Sequence, residues 1–308
     1  MAIVNTAVPI TSASCEEMIR QLTQTYPFIR SELLTATAFQ RPIRTLVIGN
    51  GGRKVLFTAA HHANEWITAL VLLKFAEELA EAIRNDTEIF GVPARLIDEN
   101  VTIHMIPMVD PDGVDLVTGA IEPGTVQYAI AQKLADNYPN IPFPDGWKAN
   151  LLGVDLNLQY PAGWLQAREI KFSQGYVNPG PRDYVGRAPL NQLETRALAN
   201  YTESVDPAVV LAYHSQGKEI YWQFKDIEIP GARALGEEFA RLSGYKLTEA
   251  AYNSSFAGYK DWFIQDFRRP GYTIEVGQGE NPLPLSQFDE IYRDNLGILV
   301  TAALGLPA

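Results

Sequence analysis

The chain predicts an α/β/α sandwich around a central mixed, largely parallel sheet, and two observations carry that reading. Apolar β-rich runs alternate with segments of helical periodicity, the pattern of strands joined by crossover helices. The chain has 308 residues with 46% hydrophobic and 20% charged content, enough for one large α/β unit with a sizeable core.

The elements follow in chain order. "SASCEEMIRQL" reads as a helix start that contains the single cysteine, Cys15, and an inert helix residue is the reading for that thiol. Residues 43–60, "IRTLVIGNGGRKVLFTAA", hold two apolar runs separated by Gly49, Asn50, Gly51 and Gly52, which predicts a β-hairpin. A phosphate loop is the competing reading of those glycines, but the Walker spacing is absent. From Glu65 a helix begins, with Ile67, Leu70, Val71 and Phe75 on one face and Glu77, Glu78 and Glu81 on the other. Further strands are predicted at 100–109, 208–216 and 271–279, and helices at 191–204, 231–243 and 286–304. Residues 111–190 read as a long irregular segment rich in Pro, Gly and Asn, of the kind that carries function. No internal repeat or low-complexity tract interrupts the chain, so one domain over 1–308 is the expectation.

Composition excludes several classes. A net charge of −11 argues against sequence-independent nucleic-acid binding, which needs a basic surface to displace counterions. One cysteine cannot form an internal disulfide. The start "MAIVNTAVPITSASCEEM" lacks a basic region followed by an apolar run, and no stretch is long enough for a membrane-spanning helix. A cytoplasmic protein with no membrane or nucleic-acid partner is expected; oligomeric state is not readable.

Chemistry concentrates in "AAHHANEWIT", residues 59–68. His62 and Glu65 stand in H-x-x-E spacing where a strand meets a helix, and a zinc site needs both side chains within roughly 2.0–2.2 Å of one ion. His61 faces away if His62 faces the metal. A third ligand is His104 or His214. His104 sits inside the apolar run "VTIHMIPMV" and reads as a satisfied core histidine, whereas His214 closes the strand "AVVLAYHSQ" as His62 follows "KVLFTAAH". Sites in open α/β sheets lie outside the carboxyl ends of strands, which favours His62, Glu65 and His214. Two histidines and a glutamate leave a fourth position for water, as in catalytic rather than structural zinc sites. Glu275, an acid inside the apolar strand "GYTIEVGQG", is costly there unless paired or functional, and beside a zinc site it reads as the general base.

"HHANEWIT" resembles the zinc motif of metallocarboxypeptidases of the carboxypeptidase A type. "DPDG" (110–113), "GVDLN" (153–157), "AYHS" (212–215) and "TIEVG" (273–277) follow in the expected order, from about residue 16 to the C-terminus. The resemblance implies a carboxypeptidase A-like sandwich holding one zinc on His62, Glu65 and His214, with Glu275 as the catalytic glutamate. It further implies that Lys148 takes the place of the arginine that polarises the scissile carbonyl. Asn157 matches the asparagine that grips a terminal carboxylate, and Tyr252 or Tyr259 matches the mobile active-site tyrosine.

Leu158 is the departure, standing where many relatives place the carboxylate-binding arginine. Leucine cannot make a bidentate pair with a carboxylate. Either Arg182, Arg187, Arg268 or Arg269 takes over, or a terminal α-carboxylate is not what the pocket reads. Residues 258–284, "GYKDWFIQDFRRPGYTIEVGQGENPLP", resemble the bacterial γ-D-glutamyl-diamino acid peptidases, which cut γ-D-glutamyl-meso-diaminopimelate or -lysine bonds in peptidoglycan stem peptides. Some of these act as endopeptidases, and several carry LysM repeats; neither those repeats nor a propeptide is expected in this chain. A soluble muropeptide substrate is the implied partner. A zinc carboxypeptidase of other specificity, an N-acyl amino-acid deacylase and a non-catalytic muropeptide-binding protein are the alternatives. No G-x-S-x-G or H-E-x-x-H motif offers a rival hydrolytic chemistry.

Overall fold

The computed structural model describes residues 2–306. Helix α1 (Ser12–Thr25) opens on a capping box: Thr11 Oγ1 accepts from the Ser14 N–H at 3.1 Å, and Ser14 Oγ accepts from the Thr11 N–H at 2.8 Å. Its inner face buries Cys15, Met18, Ile19 and Leu22. Burial, aided by Glu16 and Asp115, pushes the Cys15 thiol up to about 12, so it carries no thiolate at neutral pH.

A small antiparallel ribbon, β1 (Leu33–Ala36) and β2 (Pro42–Arg44), leads into β3 (Leu46–Ile48) and β4 (Arg53–Thr58). Helix α2 (Ile67–Asn85), the short ribbon β5 (Glu88–Ile89) and β6 (Val92–Pro93), and α3 (Ala94–Asn100) precede β7 (Val101–Ile106). The second half runs α4 (Pro111–Val117), α5 (Val126–Ala135), α6 (Trp164–Ser173), α7 (Leu193–Val205), β8 (Val209–Ser215) and β9 (Glu219–Tyr221). It closes with α8 (Ala232–Ser243), β10 (Lys246–Thr248), α9 (Tyr259–Phe267), β11 (Gly271–Val276) and α10 (Phe288–Leu304). The segment read as irregular, 111–190, thus contains three helices, α4 to α6, between its loops.

Seven strands form the central sheet in the order β10-β9-β11-β8-β4-β7-β3. The middle four, β11, β8, β4 and β7, are mutually parallel, while β3 and β9 run antiparallel to their inner neighbours. Side chains alternate between two cores. Val55, Phe57, Ile103 and Leu211 pack with Leu70 of α2, Phe239 of α8 and Leu299 of α10. Leu56, Val210 and Ala212 pack on the opposite face with Leu198 of α7 and Phe263 of α9. Covered on both faces, the central strands are largely apolar, and β8 is buried at every position. The α/β/α sandwich is the fold.

The hairpin expected over 43–60 does not form, because β7 lies between β3 and β4 and pairs with both. The glycines serve a close crossing instead. A Cβ on Gly49, whose φ is 90°, would sit 2.1 Å from the Val101 carbonyl oxygen, and one on Gly51 would sit 1.7 Å from the Asn100 carbonyl carbon. Only glycine lets the chain pass against the start of β7 and emerge on its other side.

Candidate metal centre and active-site cleft

The three neighbouring parallel strands β4, β8 and β11 deliver the site at their carboxyl ends. His62 follows β4 in extended conformation and caps the single turn Ala63–Glu65, which turns Glu65 back towards it. His214 is the penultimate residue of β8, in register with Glu275 of β11. The "DPDG" motif supports this turn rather than the chemistry. Asp110 Oδ1 accepts from the Gly113 N–H at 3.0 Å, and a Cβ on Gly113 would lie 2.7 Å from Ala63 Cβ and the Ala149 carbonyl oxygen. Arg41 clamps the same helix through Asp112 at 2.8 Å and Asp115 at 2.5 Å.

His62, Glu65 and His214 are buried, and one ligand atom of each lies within 4.8 Å of the others. His62 Nδ1 is 2.9 Å from Glu65 Oε1, His214 Nδ1 is 2.8 Å from Glu65 Oε2, and the two Nδ1 atoms are 3.2 Å apart. His62 Nε2 lies 3.0 Å from Asp155 Oδ1. Burial works against a charged Asp155, but His62 and Lys148 outweigh it and hold the carboxyl well below the usual range. An ionised carboxylate only accepts, so His62 carries a proton on Nε2 and turns Nδ1 to the triad. Burial likewise opposes a charged His62, yet Glu65 and Asp155 raise its pKa to about 9. Converging imidazole nitrogens on one buried carboxylate, in a field that favours positive charge, fit a divalent cation of the zinc type.

His61 does not join the triad. Its ring stacks on that of His214 at 5.5 Å between centroids, and burial holds its pKa well below the ordinary value, so it is neutral packing behind a ligand. His104 sits on β7 with Nδ1 2.7 Å from the Tyr201 hydroxyl, while its Nε2 is buried without a partner; it is satisfied on one side only.

A cleft of about 590 Å³ opens from the triad, lined by His62, Asn157, Leu158, His214 and Glu275 among others. A second lobe of about 840 Å³ shares Lys148, Arg182 and Glu275 with it, so the cleft continues past the metal position on both sides. Lys148 Nζ is 3.1 Å from Glu65 Oε1. Burial, then the Glu65 carboxylate, pushes Glu275 up to about 8, against the pull of Lys148. Asn157 Oδ1 accepts from the Tyr259 N–H at 3.0 Å, which seats the start of α9 against the wall that carries Leu158.

Several sequence candidates fall elsewhere. Tyr259 is 0% exposed, with its hydroxyl 2.9 Å from Thr202 Oγ1, and such a core residue cannot swing. Tyr252 is 69% exposed, on the loop whose Ala250, Ala251 and Ser254 border the cleft. Arg187 is exposed and outside the cleft lining, Arg268 is exposed at the end of α9, and Arg269 is engaged by Asp206 at 2.7 Å. Of the four arginines proposed to replace Leu158, Arg182 alone lines the cleft. Sequence reading missed Asp155, though "GVDLN" contains it, and also Lys171 and Lys260, which line the same lobe.

The zinc carboxypeptidase family signature matches residues 15–297. The γ-D-glutamyl-L-diamino acid endopeptidase 1 of Lysinibacillus sphaericus is 44% identical over 282 residues, which span 92% of this chain and 69% of that one. Among solved structures, thrombin activatable fibrinolysis inhibitor superposes with a TM-score of 0.76 at 14% identity, covering 99% of this chain and 76% of its own. The carboxypeptidase A of Helicoverpa armigera gives 0.68 at 16% identity, over 98% and 75%. With its sandwich fold and a His-Glu-His triad positioned for one zinc ion, the chain belongs to the zinc carboxypeptidase family and is a metallopeptidase of that type.

Proposed function

We propose that this enzyme hydrolyses the amide bond between γ-D-glutamate and a diamino acid in peptidoglycan stem peptides. The observation that carries the reading is the 44% identity, across nearly the whole chain, to a relative named for that bond. Leu158 fits it. A cleft that continues on both sides of the triad, with no arginine at this position, is built to hold peptide on either side of the scissile bond.

His62, Glu65 and His214 hold the metal. When bound, zinc supplies Lewis acidity that activates water and polarises a carbonyl. Glu275, whose proton affinity is raised by its burial, accepts the proton of the attacking water and returns it to the leaving amine. Lys148, shared by both lobes, balances negative charge developing on the carbonyl oxygen. Asp155 fixes the His62 tautomer. Mass spectrometry of L-Ala-γ-D-Glu-meso-diaminopimelate incubated with zinc-loaded enzyme should show free diaminopimelate, and a chelated control should not. Intact tripeptide with zinc bound would overturn the substrate.

A further inference from the structure

Resting on the amide hydrolysis proposed above, we infer that the Tyr221 hydroxyl accepts a hydrogen bond from the N–H of the scissile amide, and that Glu219 positions it for that task. Sheet register fixes where the pair stands. Glu219 of β9 is the Cα partner of Glu275 on β11, and Glu275 is the partner of His214 on β8. Neighbouring strands lie about 4.8 Å apart, so the row Glu219, Glu275, His214 runs across three strands to a metal ligand. Tyr221 is the partner of Thr273, one pleat further along the same face. Ile220 and Ile274, lying between, turn to the opposite side and join the apolar core, whereas Tyr221, Thr273 and Glu275 line the cleft.

The half-buried Tyr221 side chain reaches back along its own strand, and its hydroxyl donates to Glu219 Oε2 at 2.8 Å. Because Glu219 stands beside Glu275, that bond brings the phenol oxygen towards the level of the catalytic glutamate. Tyr221 borders both lobes, as Lys148 and Glu275 do, and Glu219 lines neither. A hydroxyl has one proton and two acceptor lone pairs. Tyr221 commits its proton to Glu219, and no described residue donates to its oxygen, so acceptor capacity remains for a ligand. Burial, then Glu219 and Glu275, push the Tyr221 hydroxyl up, which keeps it a neutral phenol.

The other polar groups at the junction of the lobes leave this role open. Lys148 and Arg182 only donate, which suits the carbonyl oxygen of an amide and not its N–H. Glu275 is engaged by the water it deprotonates. Tyr176 borders both lobes too, with its ring stacked on Tyr138 at 5.9 Å between centroids, but no described residue fixes its hydroxyl. An amide N–H shut into the cleft gives up its bond to water, and leaving it without an acceptor is costly. Tyr221 supplies that acceptor from a strand of the sheet, and so turns the amide with its carbonyl away from β9. No proton of the reaction passes through it.

The test compares L-Ala-γ-D-Glu-meso-diaminopimelate with its depsipeptide, in which an ester oxygen replaces the scissile N–H. Tyr221→Phe keeps the ring and removes only the hydroxyl. Relative to wild type, its kcat/KM should fall about five- to tenfold for the amide and stay within about twofold for the ester. Both rates come from one zinc-loaded preparation, so the amide-to-ester ratio is independent of the fraction folded. Glu219→Ala should lower that ratio in the same sense, and the double variant should match Tyr221→Phe alone, because both changes act through one hydroxyl. A ratio unchanged by Tyr221→Phe overturns the bond to the scissile N–H and leaves the peptidase reading intact. Full additivity in the double variant overturns the positioning role of Glu219. Cleavage of neither substrate by wild type with zinc bound overturns the proposed function, and this inference with it.

Discussion

Glu275 stands in register with His214 on the neighbouring strand and Asp155 lies 3.0 Å from His62 Nε2, and substitution should separate their roles. Glu275→Gln keeps size and hydrogen bonding but removes the proton acceptor, so turnover should fall by about 10²–10⁴-fold at unchanged zinc stoichiometry. Substantial residual activity in a metal-replete variant would remove Glu275 from the mechanism. Asp155→Asn leaves the ring of His62 without the anion that fixes its tautomer. Zinc affinity should drop roughly 10–100-fold, read by competition with a chromogenic chelator, and affinity at the wild-type level would make Asp155 a loop anchor only. At this scale the sequence was informative where spacing is local. H-x-x-E places two ligands within one turn, and position at a strand's carboxyl end singled out His214 over His104. Tyr259 and Arg187 were unreadable because burial and cleft lining depend on neighbours far along the chain. Asp155 was hidden by distance too, since its partner His62 lies 93 residues away.

Single elements are governed by close backbone crossings and by charges at helix ends. Gly51→Ala must displace the start of β7, so unfolding should become easier by about 1–3 kcal/mol, as overpacking does elsewhere. Gly52, beside it, has nothing within 4 Å of an added Cβ, and Gly52→Ala should stay within about 0.5 kcal/mol of wild type. Equal urea midpoints for the two variants would remove the crossing argument. The hairpin expectation failed for this same reason: glycines that permit close approach look, in sequence, like glycines that permit a tight turn. A second test lies in the first turn of α7, where Glu194 is 3% exposed. Burial, with Asp112 adding, pushes its pKa up from 4.5 to about 7, against the pull of its own N–H and Asn150. The folded chain therefore binds more protons than the unfolded one between those values, and this group's contribution to stability falls as pH rises from 4.5 to 7. Glu194→Gln should stabilise the protein by roughly 1–3 kcal/mol at pH 8, with the gain shrinking towards pH 5. A gain independent of pH would point to packing instead.

For the molecule as a whole, the triad joins three strands of the central sheet, so zinc binding and global stability are linked. A ligand held only by the folded state at 100 times its Kd adds about 2.7 kcal/mol. Chelation should accordingly lower Tm by several degrees and zinc should restore it; a Tm indifferent to both would mean the triad holds no metal. The sequence by itself determined the α/β layering and the amphipathic helices, because those are periodicities written within single segments. It also carried the paired ligands His62 and Glu65, one turn apart. Only the tertiary structure decided the strand order, with β7 between β3 and β4, and the register that sets Glu275 beside His214. It alone gathered Lys171, Arg182 and Lys260 into the lobe where Leu158 leaves no cation. Contacts between segments far apart in sequence depend on how whole layers pack, and no local pattern records that.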